Sequence, residues 1–168
     1  AEEPAPLIFF AHGLNDDRGT GAHIARRMSP LGYAVISIDT THHGEHPLAD
    51  PEAFLPALNF LGLDIVNLHV DARALRSNIE QTIVDRLMLL RLLELRPDVD
   101  GDGNADIDMD RVAYFGGSLG GMLGPQLTAL TTHIKAAVFA IAGGRLLDFT
   151  TGTGQVEAFR PLIVDLFG

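Results

Sequence analysis

The segment Tyr114-Phe115-Gly116-Gly117-Ser118-Leu119-Gly120-Gly121 constrains this chain more than any other. A β-forming run, Arg111-Val112-Ala113-Tyr114-Phe115, leads straight into Gly-x-Ser-x-Gly, and a helix-forming stretch, Leu119 to Leu130, follows. A strand that becomes a helix so abruptly must bend sharply, which strains the residue at the bend and leaves no room for side chains across it. Gly116 and Gly120 stand where those side chains would collide. Such a bend holds the Ser118 hydroxyl at the edge of a sheet. It also aims the Leu119 N–H, at the helix N-terminus, toward charge developing on a neighbouring oxygen. The competing reading is a glycine-rich turn built for close packing.

The rest of the chain supplies the sheet that such a bend needs. Leu7-Ile8-Phe9-Phe10-Ala11 and Tyr33-Ala34-Val35-Ile36-Ser37-Ile38 are short apolar runs of the kind that form buried parallel strands, and Ala136 to Ile141 is a fourth. Ala22 to Met28 predicts a short helix. Ser77-Asn78-Ile79-Glu80 reads as a capping box opening a longer one, with Ile79, Ile83, Leu87 and Leu90 at helical spacing and Pro97 closing it. A start near Asp71 is the alternative. Residues 47–70 are proline-punctuated and irregular, and Val156 to Phe167 predicts a last helix. Strands alternating with helices imply an α/β fold, a mostly parallel sheet flanked by helices, in a single domain over residues 1–168.

Composition narrows the function classes. With 46% hydrophobic and 20% charged residues the chain is globular. Its 22 acidic against 12 basic residues give a net charge of −10, which argues against nucleic acid or an anionic membrane surface as partner. The absence of cysteine excludes disulfides, a thiolate nucleophile and cysteine-ligated zinc. The start, Ala1-Glu2-Glu3-Pro4, has no signal-peptide character, and the most apolar stretch, Phe54 to Val70, is broken by Pro56, Asn59, Asp64 and Asn67, so no transmembrane segment is expected.

Three further segments carry chemistry. His12-Gly13-Leu14 ends the first strand, where the Leu14 N–H is a candidate second oxyanion donor and His12 a buttress; the plain alternative is a strand-ending glycine beside an incidental histidine. Asp98-Val99-Asp100-Gly101-Asp102-Gly103-Asn104-Ala105-Asp106 sets Asp98, Asp100, Asp102, Asn104 and Asp106 at positions 1, 3, 5, 7 and 9 around glycine turns. That spacing suits a structural calcium ion, although position 12 is Met109, so Asp108 or Asp110 would have to close the shell. Turn-capping by the same side chains is the alternative. His42-His43-Gly44-Glu45-His46 lacks the helical His-Glu-x-x-His spacing of a zinc site and reads as a loop shaping a pocket.

Taken with His43-Gly44 after Asp39, the pattern Asn78-x-x-Gln81-x-x-x-Asp85 and the acidic loop through Asp108, the pair His12-Gly13 and Gly116-x-Ser118-x-Gly120 resembles an α/β-hydrolase. More closely, it is similar to the bacterial extracellular lipases and esterases grouped as virulence-factor lipases. The resemblance covers most of residues 7–145. It implies hydrolysis of carboxylic esters, small-molecule or lipid, by a Ser-His-Asp triad that requires no cofactor. It also implies a secreted or cell-envelope location.

In that fold the acid and then the base follow the serine. Residues 143–168 are all that follow the fourth strand, and a strand-helix-strand unit takes roughly 30 residues or more. The expectation is a central portion of a hydrolase, with the strands that would carry acid and base missing. Asp148 and His133 are the acid and base candidates after Ser118; His12, His42, His43 and His46 are the upstream rivals. A serine esterase or lipase is one reading. The other is a non-catalytic hydrolase-like fragment that binds calcium or associates with the remaining chain segment or itself through uncovered sheet.

Overall fold

A computed structural model describes residues 3–53, 55–64, 66–67 and 69–143. Along the chain these form β1 (Ala5–Ala11), α1 (Gly21–Met28), β2 (Ala34–Ser37), α2 (Pro56–Leu61), β3 (Leu63–Asp64), β4 (His69–Val70), α3 (Ala72–Leu95), β5 (Ile107–Gly117), α4 (Leu119–Leu130) and β6 (Ile134–Ala140). The strands β2-β1-β5-β6 make one parallel sheet in that order, and β3 and β4 pair antiparallel apart from it. The expected α/β class, a mostly parallel sheet flanked by helices, is the observed one.

Side-chain alternation along the strands divides the core into two layers. Leu7, Phe9 and Ala11 of β1 and Val112 and Tyr114 of β5 pack with Phe60 and Leu61 of α2, Ile83, Leu90 and Leu93 of α3, and Leu119, Leu123 and Leu127 of α4. The other face carries Ile8, Phe10, Ala113 and Phe115, next to Ile24 and Met28 of α1. Along β6, Lys135 through Phe139 are exposed.

Several boundaries differ from the sequence reading. α3 starts at Ala72, the alternative start near Asp71, and not at the Ser77 capping box. The Asp71 carboxylate caps it by accepting from the N–H groups of Arg73 and Ala74, both at 2.9 Å, and Asp71 N donates to Gly62 O at 2.7 Å. A cap six residues upstream, held by a tertiary contact, leaves Ser77 inside the helix and exposed. β5 begins at Ile107, because Ala5 and Pro6 pair with Ile107 and Asp108 before the register shifts to Leu7↔Val112. That irregularity places a polar run inside the strand. Residues 47–70 contain α2 and the β3–β4 pair. The helix predicted over Val156 to Phe167 lies outside the described residues.

Candidate functional site

At the end of β5, Ser118 takes φ 50° and ψ −115°, a left-handed region that a non-glycine residue adopts only at a cost. The bend is fixed by Ser118 N donating to Ala140 O at 2.9 Å and Met122 N donating to Ser118 O at 2.9 Å. The flanking glycines are there because backbone passes too close for a side chain. A methyl group at Gly116 would lie 2.4 Å from Gly120 O, and one at Gly120 would lie 2.2 Å from Ala11 O.

The loop after β1 meets this bend. A methyl group at Gly13 would sit 3.4 Å from the Ser118 Cβ and 3.8 Å from Gly117 O, and Gly120 N donates to His12 O at 3.1 Å. The structure thus brings His12 and Gly13 against Ser118 and Gly120, with Leu14 and Leu119 next to them in the chain and both in the buried core. Among the described residues, neither the Leu14 nor the Leu119 N–H has a loop or cap carbonyl as partner. Both amides are unengaged, and the Ser118 residue between the two segments is half-buried.

Of the candidate bases upstream, His12, His43 and His46 have both ring nitrogens engaged, whereas the buried His42 Nδ1 has no partner among the described residues. His12 is buried; its Nε2 accepts from Thr40 N at 2.9 Å, which leaves Nδ1–H to donate to Gly13 O at 2.8 Å. Burial lowers the His12 pKa from 6.5, the hydrogen bond to Gly13 opposes this, and the charges of His43 and Arg86 add to the lowering while Asp39 opposes it. The buried His43 ring lies between Thr41 O (Nδ1, 2.9 Å) and Leu14 O (Nε2, 2.5 Å). His42, at φ 67°, turns Nε2 to Asn78 Oδ1 at 3.2 Å. His46 donates from Nε2 to Asp85 Oδ2 at 3.1 Å and accepts at Nδ1 from Leu48 N at 3.1 Å.

His133 requires a correction. It precedes β6, whose Ile134 pairs with Val112, and its Nε2 is 3.5 Å from Glu94. Six residues of strand separate Val112 from Ser118, roughly 20 Å at about 3.3 Å per residue. His133 therefore sits at the wrong end of the sheet to act as base. Asp148 lies outside the described residues.

Of two supports of the site, sequence reasoning missed Arg86 and named Asp39 without its role. Arg86 is buried, donating from Nη2 to Thr40 Oγ1 at 3.1 Å and from Nη1 to the Tyr114 hydroxyl at 3.4 Å; Tyr114 in turn donates to Gly120 O at 2.6 Å. Burial pushes the Arg86 guanidinium below its ordinary value, and burial raises the Tyr114 phenol while Arg86 opposes that rise. The signal was a charge at position 86 on the stripe made by Ile79, Ile83 and Leu90. Asp39 accepts from Arg18 N and Arg18 Nη1, both at 2.7 Å, and from Glu45 N at 2.9 Å, tying the loop after β1 to the loop after β2. Its position directly after a predicted strand was the available signal.

In the acidic loop, Asp98, Asp100 and Asp106 bring carboxylate oxygens within 4.8 Å of one another. Three converging carboxylates suit a hard divalent cation. Asp102 lies outside that cluster and accepts from Asn104 Nδ2 at 3.0 Å. The cluster is also turn-capped, since Asp98 accepts from Gly101 N and Gly103 N and Asp106 from Val99 N.

No protein-family model and no curated protein sequence matches this chain. Solved structures do. One described as an acetyl xylan esterase from Bacteroides fragilis superposes at a TM-score of 0.59 with 20% identity, over 81% of this chain and 37% of its own. A ferulic acid esterase from Streptomyces cinnamoneus gives 0.51 and 21%, over 87% and 40%. An alpha/beta hydrolase from Penicillium sp. gives 0.54 and 14%, over 82% and 37%. The chain therefore has the α/β-hydrolase fold, and it spans about two-fifths of the length of these three structures.

Proposed function

We propose that this chain is the elbow-bearing part of a serine carboxylic-ester hydrolase, of the virulence-factor lipase type, acting on exported small-molecule or lipid esters. The observation that carries the reading is the left-handed Ser118 at the strand-to-helix bend, with Gly13 packed beside it and two amides unengaged. The acetyl xylan and ferulic acid esterases among the similar structures agree with it. Ser118 Oγ adds to the acyl carbonyl carbon as its proton passes to a histidine. The N–H groups of Leu14 and Leu119 hold the oxyanion. The carbon–oxygen bond to the alcohol then breaks, the alcohol leaves with that proton, and water cleaves the acyl-serine ester to a carboxylic acid.

His12, His43 and His46 are hydrogen-bonded at both ring nitrogens, which leaves as base the unpartnered Nδ1 of His42 or a histidine from polypeptide outside these residues. A calcium ion at Asp98, Asp100 and Asp106 would be structural, tying the loop that precedes β5.

Oxyanion donors and binding alone retain some reactivity when triad members are lost. A fluorophosphonate probe is therefore expected to label the chain slowly, once, and not at all in Ser118→Ala, as read by intact mass. A wild-type chain that takes no label, or a Ser118→Ala chain that labels equally, removes the esterase reading and leaves the non-catalytic one.

A further inference from the structure

Arg86 is a charge buried on the side of α3 that is otherwise apolar, since Ile83 and Leu90, one turn before and after it, belong to the core. None of the ion pairs among the described residues includes it, and burial holds its guanidinium below the ordinary value. Burying a charge without a carboxylate partner is unfavourable, and an apolar side chain of similar volume would fill the same space at less cost. Packing alone therefore does not account for it. Its two hydrogen bonds lead to different segments. Nη1 donates to the Tyr114 hydroxyl on β5 at 3.4 Å, and Nη2 donates to the Thr40 hydroxyl after β2 at 3.1 Å.

From those two hydroxyls the bonds run on until they meet. Tyr114 donates to Gly120 O at 2.6 Å, Gly120 N donates to His12 O at 3.1 Å, and Thr40 N donates to His12 Nε2 at 2.9 Å. Arg86, Tyr114, Gly120, His12 and Thr40 thus form a closed ring, and all five are buried. Gly120 adjoins Leu119 and His12 lies two residues before Leu14, so the ring joins the two segments that carry the candidate oxyanion amides. We propose that Arg86 is a positioning residue for ester hydrolysis, closing the ring that fixes the Leu14 amide relative to the Leu119 amide. This role rests on the esterase reading. A guanidinium suits it because its planar fork directs N–H groups to two acceptors at once, which an ammonium on a flexible stem does not reproduce. Donors aimed at an oxyanion act chiefly in the transition state, so a slack ring slows bond formation and leaves binding alone.

The test follows fluorophosphonate labelling of the full chain against probe concentration, which separates the saturating rate from the half-saturating concentration. In Arg86→Lys, which keeps the charge, the saturating rate should fall at least roughly tenfold, with half-saturation within about twofold of wild type. Thr40→Val, which opens the ring without touching Arg86, should do the same. Thr40→Ser, which keeps the hydroxyl, should label faster than Thr40→Val. A merely structural role would lower the melting temperature and leave the labelling rate of the folded chains as it was. Amide hydrogen exchange reads the ring without any reaction. The Thr40 and Gly120 amides should exchange at least roughly tenfold faster in Arg86→Lys, and those of Phe9 and Val112 at an unchanged rate. Wild-type labelling rates in Arg86→Lys and Thr40→Val overturn the proposal, as does a loss confined to half-saturation, or unchanged exchange at Thr40 and Gly120. A wild-type chain that takes no label removes the esterase reading instead, and the exchange then decides whether Arg86 holds the two segments.

Discussion

Tyr114 donates to Gly120 O, Gly120 N donates to His12 O, and His12 accepts from Thr40, whose hydroxyl faces Arg86. The Ser118 bend and the loop after β1 are thereby one hydrogen-bonded unit, and His12 is its member that takes up a proton below neutral pH. Burial lowers the His12 pKa in the folded chain from the 6.5 it has when unfolded. Above that value both states are neutral and stability is unaffected. Below it, the unfolded chain binds a proton that the folded chain refuses, so stability falls as pH falls, down to the folded pKa. The slope from this one group reaches about 1.4 kcal/mol per pH unit. Urea midpoints measured from neutral pH downward should show that loss. In His12→Gln, which keeps an acceptor for the Thr40 amide and takes up no proton, the share due to one proton should vanish. Identical pH profiles for the two proteins would mean that His12 accepts a proton without leaving its place.

Among the elements, what was legible followed from local sterics. Gly-x-Ser-x-Gly after β5 specified the bend because collisions across a tight turn are decided within five residues, and β1, β2 and α4 followed from short apolar runs beside it. For α3 the alternative start near Asp71 holds over the capping box at Ser77 and Glu80, because the contact between Gly62 and Asp71 that fixes it is tertiary. The start of β5 was hidden by the polar residues at its irregularity. Arg86 was passed over since a charge in a helix ordinarily faces water. In the acidic loop, spacing named five candidates, and the carboxylates of three of them, Asp98, Asp100 and Asp106, converge. If Asp98, Asp100 and Asp106 hold calcium, the ion binds the folded loop and raises its stability by mass action, about 2.7 kcal/mol at a hundred times its dissociation constant. Calcium should raise the melting temperature by several degrees, a chelator should reverse it, and Asp106→Asn should abolish the response. A melting temperature indifferent to calcium would leave these carboxylates as turn caps.

For the whole molecule, the two faces of the sheet are unequally covered by the described residues. On one face Phe9 is fully buried, stacked 6.1 Å from Tyr114 beneath the helices of the main core. On the other, Phe115 is half-buried, edge-on to Phe10 at 5.6 Å, in the wall of a cavity of about 380 Å³ that Ile8, Ile24, Met28 and Val138 also line. Removing a fully buried phenylalanine costs the lost transfer energy plus an unfilled cavity, about 3–5 kcal/mol. A ring that already faces open space loses fewer contacts and leaves a void that solvent can enter, so its removal should cost about half as much. Phe9→Ala and Phe115→Ala, compared by urea denaturation, should differ by about 1.5 kcal/mol or more. Equal losses would show that the α1 side is packed as tightly as the α3–α4 side. The sheet would then be closed on both faces, and its uncovered surface could not serve the association that the non-catalytic reading requires.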